Sequence, residues 1–145
     1  MLSFALNCFP GGTELIVELI ESHSAARLQG LLDSFAREIE GIRAVVVGDP
    51  KGLPVASLVR GPNAMATTAM ATLLLSAARN VATSLELAGI SDMILEGKGW
   101  LILLRPLGEN FTLLVLAGED VNLGLLKLQA ERRASEAWQL IEEMR

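Results

Sequence analysis

Ile42-Arg43-Ala44-Val45-Val46-Val47-Gly48-Asp49-Pro50-Lys51-Gly52-Leu53-Pro54-Val55-Ala56-Ser57-Leu58-Val59 decides how this chain folds. Its first half holds the unbroken apolar run Ala44-Val45-Val46-Val47, closed by Gly48, and predicts a strand over 42–48. Asp49-Pro50-Lys51-Gly52 predicts a tight turn, because proline presets φ at the second position and glycine adopts the left-handed conformation at the fourth. A second strand, 53–59, follows at once, and so short a connection permits only antiparallel pairing. Pro54 has no backbone N–H, so this strand lies at a sheet edge or pairs only through its other side.

Towards the C-terminus, Pro62 or Asn63 opens a long helix that reaches Leu87 and stops at Gly89. Three close-set strands follow, Ile90 to Glu96, Gly99 to Pro106 and Asn110 to Ala117. They are joined by Gly97-Lys98 and Leu107-Gly108-Glu109, lengths that force hairpins. Asp120 or Asn122 caps a last helix with Leu123, Leu126, Ala130, Ala134, Ala137, Ile141 and Met144 on its apolar side. Glu131, Arg132, Arg133 and Glu136 take its wet side. Towards the N-terminus, Leu28, Leu31, Leu32, Phe35 and Ile39 mark an amphipathic helix from Ser24 to Glu40, ended by Gly41. Before it, after Pro10-Gly11-Gly12, Thr13 caps a short helix with Leu15, Ile16, Leu19 and Ile20 on one side. Ser22-His23-Ser24 separates the two only weakly, so two helices or one bent helix both fit.

Val45-Val46-Val47, Leu101-Ile102-Leu103-Leu104 and Leu113-Leu114-Val115-Leu116 do not alternate with polar residues, so helices must cover both faces of the sheet. The expectation is an α/β chain of α+β type. It is a three-layer αβα sandwich around an antiparallel five-stranded sheet, in the order α-β-β-α-β-β-β-α. One domain spans 24–145, and residues 1–23 form an N-terminal extension.

With 145 residues, 51% hydrophobic and 20% charged, the composition excludes a disordered tail. A single cysteine, Cys8, excludes a disulfide framework and a cysteine-rich zinc module. A net charge of −5 argues against a nucleic-acid partner. Cys8 and His23 form the one conceivable nucleophile–base pair, but a turn signal separates them, and no catalytic residue is expected. Gly48 to Gly52 and Gly97-Lys98-Gly99 lack phosphate-loop spacing, and Asp49 and Asp92 lack carboxylate partners at metal-ligand spacing. No metal or cofactor is therefore expected.

The mean hydropathy of +0.43 is high for a water-soluble monomer. The longest uncharged stretch, Gly61 to Ala78, contains Pro62, Asn63, three threonines and Ser76, and does not read as a membrane span. The N-terminus lacks the basic region of a secretory signal, which points to the cytoplasm and to no direct membrane insertion. The surplus apolar surface points to oligomerisation. The helix from Asn63 to Leu87 carries the argument. Met70, Leu74, Ala77, Val81 and Leu85 form the stripe expected to sit on the sheet. The opposite flank, Met65, Thr68, Thr72, Leu75, Arg79 and Thr83, has one charge, which suits a second molecule better than water.

The order of these elements resembles the Roadblock family of dynein light chains, which includes MglB-like polarity proteins. Gly48 to Ser57 resembles that family's first hairpin. The alanine- and threonine-rich helix and Val121-Asn122-Leu123-Gly124-Leu125-Leu126-Lys127-Leu128 are similar to its later pieces. The resemblance implies a homodimer in which Ile90, Ser91, Asp92, Met93, Ile94, Leu95 and Glu96 pair with their own copies, giving one sheet continuous across both chains. Ala69 and Ser76 join that interface where the long helices lie side by side. It further implies that Met65, Thr68, Thr72, Leu75 and Arg79 meet a small Ras-like GTPase; Arg60 and Arg79, which flank or lie on that helix, are the arginines placed to contact it. GTP hydrolysis would be stimulated without a catalytic constellation, or the dimer would serve as a scaffold without affecting turnover.

Overall fold

The computed structural model describes residues 12–59 and 63–144, with the backbone alone over 12–22. The elements are α1 (Gly12–Glu38), β1 (Ile42–Gly48), β2 (Pro54–Val59), α2 (Ala64–Ser84), β3 (Met93–Gly97), β4 (Trp100–Leu107), β5 (Phe111–Ala117) and α3 (Leu123–Met144). All neighbouring strands are antiparallel, in the order β2-β1-β5-β4-β3. The expected α+β sandwich is the fold observed.

The apolar runs divide residue by residue between two cores, as successive side chains of a strand must. Val45, Val47, Leu101, Leu103, Leu107, Leu113 and Val115 face α1 and α3, where Leu28, Leu32, Phe35, Leu126 and Ile141 meet them. Leu104 and Leu114 face the other way, onto Ala71 of α2, with Leu74, Met93, Ile102 and Leu116 around them. This second core is much the smaller.

The first hairpin closes as its sequence requires. Asp49 Oδ1 accepts from the N–H groups of Lys51 (2.8 Å) and Leu53 (2.9 Å), and Gly52 has φ +83°. Pro54 lies on the edge strand, as expected. The pairing shifts between Val47 and Gly48, because Val47 faces Ala56 while Gly48 faces Pro54. The outer side of β2 is further occupied by Gln29 of α1, whose amide donates to the Ser57 carbonyl (2.8 Å) and accepts from the Ser57 N–H (3.3 Å).

Several boundaries differ from the sequence reading. α1 is one helix that runs through Ser22-His23-Ser24, and Thr13 lies inside it. Ser24 is buried and donates to Glu143 of α3 at 3.4 Å, so a partner 119 residues away satisfies what reads locally as a breaker. The expected boundary between 23 and 24 therefore falls within a helix. α2 ends at Ser84 rather than Leu87, and Glu86 takes φ +56° two residues later. The third strand begins at Met93, leaving Ile90, Ser91 and Asp92 in the connection before it. Asn122 caps α3, its Oδ1 accepting from the Leu125 N–H at 3.1 Å. Cys8, Arg60 and Pro62 lie outside the described residues.

Candidate docking surface

α2 starts cleanly. Asn63 Oδ1 accepts from the N–H groups of Met65 (2.9 Å) and Ala66 (3.3 Å), satisfying two donors that the first turn leaves orphaned. Its seat on the sheet is set by small residues on both sides. A Cβ on Gly48 would stand 2.5 Å from Thr68 Cγ2, and one on Gly52 would stand 3.4 Å from the Ala69 backbone. The first hairpin therefore admits Thr68, Ala69 and Thr72 close to its backbone.

This approach reverses the expected facing of α2. Thr68, Ala71 and Leu75 are its buried residues, and Thr72 and Arg79 are half-buried. The expected sheet-facing stripe lies largely outside: Met70 is 61% exposed and Val81 58%, Ala77 and Leu85 are exposed, and Leu74 alone of that stripe packs on the second core. Leu75 and Thr68 of the proposed GTPase-facing set are thus corrected to core positions. The threonines bury without loss because each hydroxyl donates one turn back, Thr68 to the Ala64 carbonyl (2.6 Å) and Thr72 to the Thr68 carbonyl (3.0 Å).

What faces outward is a second apolar line that the expected flank missed. Ala66, Met70, Leu73, Ala77 and Val81 follow one another at spacings of three and four, with Ala69, Ser76 and Asn80 beside them, all exposed. Leu73 is 63% exposed. Arg79 is the single charge in α2, and it sits at the margin rather than on this line. The 3-4 spacing of these residues was visible in the sequence; nothing there said which of two apolar lines would be inside.

The surface continues past the helix. Leu85 and Leu87 are exposed in the connection that leads to β3, and β3 is the other edge of the sheet, hydrogen-bonded among the described residues only to β4. Met93, Ile94 and Leu95 are half-buried and Glu96 is exposed. Asp92 is held before the strand by Arg105 of β4, at 2.7 Å, with side chains 15% and 19% exposed. Of the residues expected at a dimer contact, the structure brings Met93 to Glu96 to this edge, leaves Ile90, Ser91 and Asp92 in the connection before it, and leaves Ala69 and Ser76 exposed on α2.

Elsewhere an open cleft of about 970 Å³ lies where β1 begins and α3 starts. Glu38, Glu40, Glu119 and Asp120 line it with Arg43. Glu119 spends one oxygen on the Gly99 N–H at 3.1 Å. No group of three or more His, Cys, Asp or Glu side chains placed to hold a metal occurs among the described residues. No helix among them is long and apolar enough to cross a membrane.

An antiparallel five-stranded sheet with one long helix on one face and two on the other is the architecture of a known class. Residues 28–117 match the Roadblock/LC7 domain family, and the chain belongs to it. It is 29% identical over 111 residues to protein MJ0714 of Methanocaldococcus jannaschii, covering 74% of this chain and 93% of that one. Among solved structures it is similar to an MglB with a tetrameric arrangement, at TM-score 0.78 and 21% identity, over 84% of this chain and 93% of that one. It is similar also to Myxococcus xanthus MglB, at TM-score 0.77 and 15% identity, over 83% and 92% of the two chains.

Proposed function

We propose that this protein is a non-enzymatic, cytoplasmic homodimer that docks a small Ras-like GTPase on its paired α2 helices and regulates GTP turnover. The observation that carries the reading is the uncharged outward line Ala66, Met70, Leu73, Ala77 and Val81 on a helix with one charge in 21 residues. Exposed helix faces in water are ordinarily rich in Lys and Glu, and contiguous apolar patches mark interaction sites. The free edge of β3, next to the exposed Leu85 and Leu87, supports pairing with a second copy through backbone hydrogen bonds. In this reading Met70 and Leu73 replace Thr68 and Leu75, and join Met65, Thr72 and Arg79 as the residues that meet the GTPase.

Native mass of the purified chain, alone and mixed with Ras-like GTPases loaded with GDP or a GTP analogue, tests the proposal together with phosphate release. A two-chain building unit that binds one nucleotide state and speeds phosphate release supports it. Binding without a change in release assigns a scaffold instead. A single-chain particle that binds in neither state overturns it.

A further inference from the structure

The indole of Trp138 is a ridge between two grooves. It stands half-buried on α3, against the turn that joins β4 to β5. Phe111 meets it edge-on, with ring centroids 5.8 Å apart and an interplanar angle of 64°. Gly108 in the turn has φ +60°, and a Cβ there would stand 2.3 Å from Trp138 Cη2. The glycine thus both makes the turn and lets the six-membered ring lie against its backbone. Held by Gly108 and Phe111, the ring is in place before anything binds, which lowers the cost of binding.

Towards the end of α3, a groove of about 290 Å³ is lined by Pro50 of the first hairpin, Phe111, Glu109 and Glu142. Towards its start, a groove of about 280 Å³ is lined by Pro106, Ala134 and Glu131. Trp138 and Gly108 belong to both. Each groove falls just below the roughly 300–1,000 Å³ of pockets that enclose a small ligand. Two such grooves flanking one aromatic ridge suit the side chains of a chain laid across the surface.

The chemistry of the ridge selects that chain. Trp138 Nε1 is not buried and makes no hydrogen bond among the described residues, so its N–H is free to donate. A polyproline II chain has no internal hydrogen bonds, and its carbonyls are open acceptors. Its three residues per turn set two side chains astride a ridge and leave the third in solvent. Each groove also offers an apolar wall to a proline ring, Pro50 and Phe111 in one and Pro106 in the other. Charge selects the flanking residues. Glu109 and Glu131 make no ion pair among the described residues. Of the described residues lining the two grooves, Arg105 is the only base, and its Nη1 is spent on Asp92 at 2.7 Å.

We propose that Trp138 and its two grooves dock a proline-rich segment of a partner protein, held in the polyproline II conformation and flanked by arginine or lysine. Aromatic-lined grooves bind such segments well because the extended helix is formed beforehand and loses little entropy. Prolines fill the grooves, a carbonyl of the segment accepts from Trp138 Nε1, and the flanking bases meet Glu109 on one side and Glu131 on the other. None of the lining residues belongs to α2 or β3, so this surface is separate from the one above.

The chain holds two tryptophans, so Trp100→Phe leaves Trp138 as its single indole reporter. Fluorescence titration of that variant with a synthetic peptide of Pro-Pro-Leu repeats, carrying arginine at both ends, tests the proposal. A saturable shift of the emission maximum is expected, and none with the analogue that has glycine in place of every proline. Adding Glu109→Lys and Glu131→Lys, at exposed positions where the fold is expected to survive, should weaken binding about tenfold at unchanged helix content. A peptide with glutamate at both ends should bind the unreversed chain as weakly. No shift with the arginine-flanked peptide, equal binding of the glycine analogue, or binding that neither charge reversal moves overturns the proposal.

Discussion

Thr68 is a polar residue that behaves as core, and its neighbour Gly48 explains why. The 2.5 Å that a Cβ on Gly48 would leave to Thr68 Cγ2 means that Gly48→Ala must either turn the Thr68 side chain or lift α2 from the sheet. A destabilisation of about 1–3 kcal/mol is expected, measured by urea unfolding. Gly48→Ala combined with Thr68→Ser should cost less than the sum of the two, because the offending methyl is gone. Ion pairs divide by burial in the same way. Asp92 and Arg105 are mostly covered, whereas Arg27 and Glu143 are about half exposed at 3.5 Å. Asp92→Ala leaves a half-buried guanidinium unpartnered and should lower stability by about 1–3 kcal/mol. Arg27→Ala should stay within about 1 kcal/mol. The turn at Asp49 and Gly52 was readable from residue types alone, since the chemistry is local. The roles of Thr68 and Ser24 were not, because their partners, Gly48 and Glu143, are set by tertiary approach.

Strands β1, β4 and β5 could be read from the sequence because five-stranded burial on both faces leaves apolar runs that no solvent-facing element would carry. α2 could be recognised as a helix, and as one short of charge, yet its orientation could not be read. It has two apolar lines, and hydrophobicity ranks Met70 and Val81 above Thr68 and Ala71 for the interior. Fit decides otherwise, because the hairpin beneath has glycines where the smaller line can sit. The consequence is a sharp contrast between two faces of one helix. Leu75→Ala empties a site 1% exposed and should cost about 2–5 kcal/mol in unfolding experiments. Leu73→Glu, two residues earlier, should leave unfolding within about 1 kcal/mol. Under the proposed function it should nonetheless abolish GTPase capture in a pull-down; capture at native strength would remove α2 from the contact.

At the scale of the whole chain, the family assignment and the three-layer plan agree with what the order of elements implied. The part least legible in the sequence was which surfaces remain for other molecules. The two edges of the sheet are not equivalent. On one, Pro54 withholds a donor and the Gln29 amide occupies both backbone groups of Ser57; on the other, β3 has no neighbour beyond it among the described residues. Gln29→Ala should uncover the first edge, and light scattering at rising concentration is expected to show particles larger than those of the native chain; identical scattering would mean that the amide has no such part. Under the proposed function, strand addition has a valence of one. A second copy joined along β3 would present only plugged ends to a third, so the same hydrogen-bonding chemistry that lets fibrils lengthen without limit would here terminate after a single step.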